Sequence, residues 1–167
     1  MRPIAILALA LAAAACSRPT PEPVEPAVAA SFDKAGVAAG VEALILDWSK
    51  TGQEGRWEDL KALYADDPDF YWVEDGRVAY ASRAAAAAGV DRAAAMNALI
   101  RSDVSEIAVT PVSADAASFR ALVSIGFVGD AFSFDFDGVF TGLAVRRDGK
   151  WQFLNGHLSR PDEQRPQ

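Results

Sequence analysis

The hydrophobic positions of the chain recur at helical intervals in its first part. Between residues 33 and 51 the apolar side chains fall three and four positions apart, which predicts an amphipathic helix. Ser31 or Asp33 can cap its first turn, and Gly52 can end it. A second, shorter helix is predicted over residues 57–64, because the Asp-Asp-Pro sequence that follows disfavours helix before its proline.

The pattern becomes strand-like after residue 69. Residues 70–74 and 77–81 are rich in aromatic and small or β-branched side chains, and they flank Asp75-Gly76, a strong signal for a two-residue hairpin turn. The alanine-rich sequence from residue 82 to about residue 99 predicts a third helix, with Ser82 as its N-cap.

Beyond residue 103 the sequence predicts four antiparallel strands, over residues 107–112, 118–128, 131–147 and 150–159. In the third of them, the phenylalanines at positions 132, 134 and 136 share one face. We expect a β-bulge at Asp137-Gly138, which would move the apolar face to the odd positions and bend the sheet. Pro111 removes one ladder donor, as at an edge strand or at another bulge.

This order of elements predicts an α+β fold. Two helices, a hairpin and a third helix precede four antiparallel strands, so that one curved sheet wraps around the helices. A cavity between the sheet and the helices is a natural product of this arrangement. We expect the domain to span residues 31–159 and residues 160–167 to form a disordered tail.

The N-terminal residues predict an export signal. Arg2 precedes an unbroken apolar run over residues 4–15, which is too short to cross roughly 30 Å of hydrocarbon as a helix but suits a signal peptide. Alanines stand directly before Cys16, and this arrangement resembles the bacterial lipobox, in which the cysteine is lipidated and becomes the new N-terminus. In the alternative, an ordinary signal peptidase cleaves here and Cys16 has no role.

The segment after Cys16 predicts how the domain is held. Residues 17–30 contain four of the nine prolines and predict a semi-extended tether. In Gram-negative lipoproteins an Asp after the lipidated cysteine is the usual inner-membrane retention signal, and here that residue is Ser17. We therefore expect a lipid-anchored protein of the cell envelope, at the outer membrane and facing the periplasm, that touches the membrane through its N-terminal lipid only.

The composition excludes several classes of protein. Lys and Arg number 16 against 23 Asp and Glu, a net charge of −7, which has the wrong sign for a nucleic-acid binder. Apolar residues make up 51% of the chain, enough for a packed core. One cysteine and one histidine rule out a disulfide framework, a cysteine-rich zinc site and paired-histidine metal motifs. We expect neither a metal nor a cofactor.

Three stretches of the sequence carry a resemblance to a known family. They are residues 57–70, the segment Trp72-Val73-Glu74-Asp75-Gly76, and residues 140–159 with Asp148-Gly149-Lys150-Trp151 and the ending Gly156-His157-Leu158-Ser159. In this order they resemble the SnoaL-like branch of the nuclear transport factor two-like superfamily, over about residues 33–159. The resemblance implies a cone-like α+β barrel with a pocket between sheet and helices, often in a homodimer. It implies no reaction, because the superfamily includes isomerases, cyclases, dehydratases, epoxide hydrolases and members without chemistry.

The last predicted strand supplies most of the candidate site residues. In a regular strand Trp151, Phe153, Asn155 and His157 share one face, and this mixture of aromatic and polar groups is typical of a pocket wall. His157 is the side chain that titrates near neutrality without a perturbed pKa, so it is the candidate general acid or base. In the alternative, His157 hydrogen-bonds a backbone carbonyl and closes the barrel.

Further candidates flank the first hairpin. Asp69, in the acidic loop before it, could act as a base at an apolar opening, or the loop could serve only to end the helix and turn the chain. Trp72 and Tyr80 could stack on a hydrophobic ligand or belong to the core. The resemblance also implies that a polyketide cyclase would need an acidic residue in the cavity, a part that Asp69 or Glu74 could take.

Three functions remain open at this point. The first is an envelope-anchored domain that binds a small, largely apolar molecule in its pocket, since no assembled catalytic set is visible. The alternative is an enzyme of lyase, isomerase or cyclase type that uses His157 with a pocket aspartate such as Asp69. The second alternative is a homodimeric interaction module whose outer sheet face pairs with itself or with an envelope protein.

Overall fold

Helices occupy the first part of the domain, as their spacing predicts. The computed structural model describes residues 31–130 and 132–161. Within them the helices are α1 (Lys34–Gln53), α2 (Trp57–Ala62) and α3 (Arg83–Ala95). Asp33 caps α1 and Ser82 caps α3, each by accepting a hydrogen bond from the backbone N–H three residues later, at 2.9 and 3.2 Å. None of these described helices is long and apolar enough to cross a membrane.

Most predictions for the two termini lie outside the described residues. They are the signal peptide, the lipidation of Cys16, the tether over residues 17–30 and the tail beyond residue 161. Arg160, the first residue of the expected tail, is described and forms an ion pair with Asp75.

One mixed sheet follows the helices. In the described part of the chain its strands are β1 (Tyr71–Glu74), β2 (Arg77–Tyr80), β3 (Leu99–Ser113), β4 (Ala116–Val128), β5 (Ser133–Arg147) and β6 (Lys150–Ser159). Their order is β2-β1-β6-β5-β4-β3, with β1 parallel to β6 and the other neighbours antiparallel. The sheet is curved and unclosed and follows the helices in the chain, so the predicted α+β fold is confirmed.

Two boundaries differ most from the prediction. Helix α3 ends at Ala95 rather than near residue 99, because Asn97 takes a left-handed φ of 51° that a helix cannot continue. Strand β3 then begins at Leu99 rather than at residue 107. Its first part places Ser102 at a buried position, and this polar residue masks the apolar alternation by which a strand is predicted.

The bulge predicted at Asp137-Gly138 is wrong. The pairing of β4 with β5 continues through both residues without a shift, so the even-numbered apolar residues of β5 stay on one inner face. A bulge lies instead in β6 at Leu154, the residue between Phe153 and Asn155 that has no partner in β5. Pro111 lies in β3, an edge strand with a shifted pairing near its end, as predicted from its missing N–H.

The core lies between α1 and the inner face of the sheet. Val41 and Ile45 of α1 are fully buried in one cluster with Phe140 and Phe153 of the sheet. Aromatic rings dominate this cluster, with centroids 4.9 to 6.5 Å apart, a spacing at which aromatic pairs attract one another.

Candidate functional site

A cavity of about 250 Å³ lies between α3 and the inner face of the sheet. Helix α3 forms one wall, and the C-terminal part of α1 and the sheet form the others. Its charged residues gather near the turn between β1 and β2, where Glu74 is exposed and Asp75 and Arg160 are half-buried. This end is therefore the opening of the cavity.

Small side chains on α3 leave the space for the cavity. Ala86, Gly89, Val90 and Ala93 line it at positions i, i+3, i+4 and i+7, so they share one face of the helix. Tyr80 approaches this face most closely at Gly89, where a Cβ would lie 2.6 Å from the tyrosine oxygen. Larger side chains on the same face would fill the space.

Large aromatic side chains line much of the remaining surface. They come from α1, α2, the loop after α2 and the first hairpin: Trp48, Trp57, Tyr64, Trp72 and Tyr80. Tyr80 reaches the cavity because the pairing of β1 with β2 is irregular. Trp72 pairs with Tyr80 but Val73 pairs with Val78, so Ala79 is an extra residue that turns Tyr80 to the face of Trp72.

An ion pair closes one side of the opening. Asp75 accepts a hydrogen bond from Arg160 Nε at 2.8 Å and another from the Arg160 backbone N–H at 3.2 Å. The guanidinium carbon also lies 5.1 Å from the ring centroid of Phe136, within the range of a cation–π contact. Arg160 therefore holds the end of β6 against the β1–β2 turn.

Glu74 is the second carboxylate at the opening, and its pKa is raised above the ordinary glutamate value. Neighbouring atoms displace part of the water around the carboxylate, although the residue as a whole is exposed, and this partial loss of hydration is the main cause. The charge of Asp75 adds to it. A hydrogen bond from the Trp72 indole and the charge of Arg160 act in the opposite direction. At this end of the cavity the Arg160 guanidinium therefore pairs with Asp75 and affects Glu74 through its charge alone.

Two tyrosines of the lining are held in their neutral form. Burial is the main reason why the pKa of Tyr64 and the pKa of Tyr80 are raised, and the negative charge of Glu74 adds to both shifts. The Tyr64 hydroxyl is already hydrogen-bonded to the Trp48 indole. Tyr80 remains a hydroxyl donor near neutral pH, at the end of the cavity where the carboxylates lie.

Ser102 is a further polar residue of the lining. Its side chain is buried, and its Oγ makes no hydrogen bond to any described residue. Its backbone carbonyl, by contrast, accepts from Ser49 Oγ at 2.8 Å and from Gln53 Nε2 at 3.0 Å. Buried hydroxyls usually have a hydrogen-bond partner. Since the Ser102 hydroxyl has none among the described residues, it is available to a molecule in the cavity.

Stacked phenylalanines extend the apolar wall along β4 and β5. Phe127, Phe132, Phe134 and Phe136 form a ladder with interplanar angles of 5° to 18°. Phe132 and Phe134 are 49% and 39% exposed, whereas Phe136 is half-buried beside Arg160. The ladder gives the cavity an apolar margin on its sheet side.

The structure divides the predicted ligand-binding residues. Trp72 and Tyr80 line the cavity, whereas Trp151, Phe153 and Asn155 do not. The prediction that these three residues share one face of β6 is wrong, because the bulge at Leu154 reverses the side-chain directions after it. Phe153 is buried in the core, Asn155 Oδ1 accepts a backbone hydrogen bond from β5 at 3.1 Å, and Trp151 packs against α1.

The predicted catalytic pair is not brought together at the cavity. His157 is exposed on the outer face of the sheet, between Val73 of β1 and Thr141 of β5. Asp69 is also exposed, and its backbone N–H donates to Asp67 Oδ1 at 3.0 Å. That hydrogen bond, followed by one from an arginine of β5, lowers the pKa of Asp67, as expected for a loop that turns the chain.

Sequence reasoning gave less weight to three residues of the lining. Trp48 belongs to the apolar spacing of α1, which does not by itself distinguish a core position from a cavity wall. Glu74 follows Trp72 by two positions, so strand alternation could have placed both side chains on one face. Ser102 gave no usable signal, because only the approach of α1 to β3 makes its position buried. Within the described residues no group of acidic, histidine or cysteine side chains could hold a metal ion.

The comparisons with known proteins agree with this architecture. A family model described as a SnoaL-like domain matches residues 41–163. No curated protein matches the sequence.

Several solved structures share the fold at low sequence identity. A proposed scytalone dehydratase from Novosphingobium aromaticivorans has a TM-score of 0.66 and 20% identity, over 76% of this chain and 85% of that chain. LinA has a TM-score of 0.62 and 20% identity, over 74% of this chain and 85% of its own. A protein of unknown function with a cystatin-like fold from Nostoc punctiforme has a TM-score of 0.57 and 12% identity, over 74% and 90%. At such identities the likeness concerns the fold alone.

Proposed function

The chain belongs to the SnoaL-like domain family, and from that premise we propose that it binds one small, largely apolar molecule between α3 and the sheet. The observation that carries the proposal is the cavity of about 250 Å³. Protein interiors are otherwise close-packed and contain few voids larger than a water molecule. A space of this size, kept open by small residues along one helix face, favours a binding site over a packing defect.

The lining supports a ligand with an apolar body and few polar groups. The volume is near the lower limit of ligand pockets, roughly 300 to 1,000 Å³, so the molecule is small. The aromatic rings offer flat apolar surfaces for its body. Ser102, Tyr80 and Glu74 offer a small number of polar contacts, the composition that orients a ligand in such pockets.

A cavity-filling substitution tests this proposal. We expect Ala93→Leu to occupy the cavity and to abolish retention of a small molecule, measured by native mass spectrometry on the full chain purified gently from a bacterial envelope. Ala88→Leu is the matched control, because Ala88 is on the exposed side of the same helix. A molecule retained equally by the Ala93→Leu variant would contradict the cavity as its site.

Envelope anchoring is the second part of the proposal. It is supported by the position of the chain's single cysteine, Cys16, directly after an apolar run that suits a signal peptide. We expect the unchanged protein to incorporate labelled palmitate and to sediment with membranes, and the Cys16→Ser variant to do neither. A Cys16→Ser protein that still carries the label would contradict lipidation at this residue.

Acid–base catalysis is the second candidate function, and the raised pKa of the cavity-lining Glu74 favours it. One structural neighbour is named as a proposed dehydratase, so small β-hydroxy ketones are suitable probes. If the chain eliminates water from them, Glu74→Gln should lower kcat by roughly a hundredfold or more. His157→Ala should leave kcat unchanged, because His157 does not line the cavity. Turnover that depends on His157 and not on Glu74 would contradict this assignment.

A further inference from the structure

Among the described residues that line the cavity, carboxylates outnumber cations. Among the described lining residues the carboxylates are Glu74 and Asp75, and the single cation is Arg160. Arg160 is committed to Asp75, to which its Nε donates at 2.8 Å, and it also lies over the ring of Phe136. It influences Glu74 through its charge and not through a hydrogen bond. Glu74 is therefore the carboxylate whose charge is least compensated.

Neighbouring arginines do not supply the missing charge. Arg77 is opposite Glu74 in the pairing of β1 with β2, but its side chain forms no ion pair with Glu74 within the described residues. Arg92 of α3 hydrogen-bonds the Tyr80 hydroxyl and does not line the cavity. The hydrogen bond that Glu74 receives comes from a neutral donor, the Trp72 indole. A third negative charge placed here would be repelled, whereas a positive charge would be attracted.

The rest of the lining suits the same kind of group. Aromatic rings attract a cation to their faces, tryptophan most strongly, and the cavity contains Trp48, Trp57 and Trp72 with two tyrosines. The net charge of −7 also raises the local concentration of cations near an acidic opening.

We infer that the molecule bound here is a small amine, whose protonated nitrogen contacts Glu74 at the opening and whose apolar body lies among the aromatic rings. The inference rests on the proposed function, because it names the chemical class of the ligand for the same cavity. Amines with a short aryl or alkyl body fit both the volume and the charge.

Three probes with the same phenylethyl body separate charge from apolar contact. They are phenethylamine, 2-phenylethanol and 3-phenylpropionate, titrated calorimetrically into the full chain at neutral pH. We expect the amine to bind about tenfold more tightly than the alcohol, as one charge-assisted hydrogen bond would give. The carboxylate should bind most weakly of the three.

Substitution of Glu74 tests the assignment of the contact. Glu74→Gln keeps an oxygen for the Trp72 indole but removes the negative charge, so the amine should lose its tenfold preference while the alcohol keeps its affinity. Glu42→Gln is the matched control, because it changes the net charge equally on the exposed side of α1, away from the cavity. The preference for the amine should survive in this control.

The possible outcomes separate this inference from the proposed function. A carboxylate that binds as tightly as the amine, or an amine preference that survives Glu74→Gln, overturns the inference and leaves the cavity as a binding site. A retained molecule that proves to be anionic does the same. If no probe binds and native mass spectrometry finds no retained molecule, the proposed function fails and the inference fails with it.

Discussion

At the scale of the residue, the polar groups of the cavity differ in whether they already have a hydrogen-bond or ion-pair partner within the protein. Ser49 donates its hydroxyl to the carbonyl of Ser102, whereas the Ser102 hydroxyl has no partner among the described residues. Glu74 receives a hydrogen bond from an indole but forms no ion pair with a described residue. Substitutions at these residues therefore have different effects on folding and on binding.

Ser102→Ala should affect binding far more than stability. No hydrogen bond between described residues is lost, so we expect the free energy of unfolding, measured with urea, to fall by no more than about 0.5 kcal/mol. Retention of the small molecule should weaken by roughly fivefold if the hydroxyl bonds it. Ser49→Ala is the contrasting variant, since it loses the 2.8 Å hydrogen bond and should cost about 1 kcal/mol of stability. Unchanged ligand retention in Ser102→Ala would remove this hydroxyl from the site.

Glu74→Gln should stabilise the fold in a pH-dependent way. The pKa of Glu74 is raised in the folded state, so the folded protein binds more protons than the unfolded chain above the ordinary glutamate pKa. The stability of the protein therefore falls as the pH rises from the ordinary glutamate pKa to the raised pKa of folded Glu74. Above that range the charged Glu74 side chain destabilises the fold. We expect the variant to gain less than about 1 kcal/mol near pH 7, because the side chain is exposed and screened by water.

The sign of this effect can be checked at low pH. At about pH 3 and below, Glu74 is protonated in both states, so the gain from Glu74→Gln should disappear in urea unfolding. Glu42→Gln should give no comparable gain at neutral pH. A gain that grows on acidification would contradict the raised pKa of Glu74.

At the scale of the element, small residues decide how closely one element approaches another. Gly156 of β6 lies against the indole of Trp72, and a Cβ at this position would overlap the ring. Gly89 of α3 has the same relation to Tyr80. In both cases a residue without a side chain positions an aromatic side chain that lines the cavity.

Gly156→Ala should therefore displace a buried ring. We expect a loss of about 1 to 3 kcal/mol in the free energy of unfolding, because Trp72 is only 3% exposed and packs against Tyr64 and Phe140, so moving its ring disturbs those contacts. The loss should shrink in the Trp72→Leu background, where the overlapping ring atoms are absent. A double-mutant cycle measures this coupling, and additive losses would show that the two residues do not meet.

At the scale of the whole molecule, the outer face of the sheet is partly apolar. Tyr71, Leu122 and Val139 are 45%, 37% and 38% exposed, and the last two are cross-strand partners. The homodimer expected from the family resemblance stays a prediction. This face is where we expect a second copy to pack, because apolar side chains exposed together favour association.

Native mass spectrometry of the full chain checks this prediction. We expect a dimer at micromolar concentration, and a monomer when Val139→Lys places a charge on the outer face. Val112→Lys is the control, because Val112 is 63% exposed near the end of the edge strand β3. If the protein without a substitution remains monomeric at high concentration, the outer face is not a strong dimer interface.

The sequence by itself determined the features that depend on neighbours along the chain. The helical spacing, the caps at Asp33 and Ser82, the Asp75-Gly76 turn and the class of fold are all local or periodic signals, and the structure contains them. Trp72 and Tyr80, which flank that turn, were candidates for ligand binding or for the core, and both line the cavity.

Only the tertiary structure decided which face of each strand meets the cavity. An extra residue at Ala79 turns Tyr80 inward, and one at Leu154 turns His157 outward, since a shift by one residue moves every later side chain to the opposite face. Such shifts are set by pairing with another strand, which is distant in sequence. The cavity likewise exists because the small residues of α3 face the sheet, and that packing brings Glu74 and Ser102 into one site.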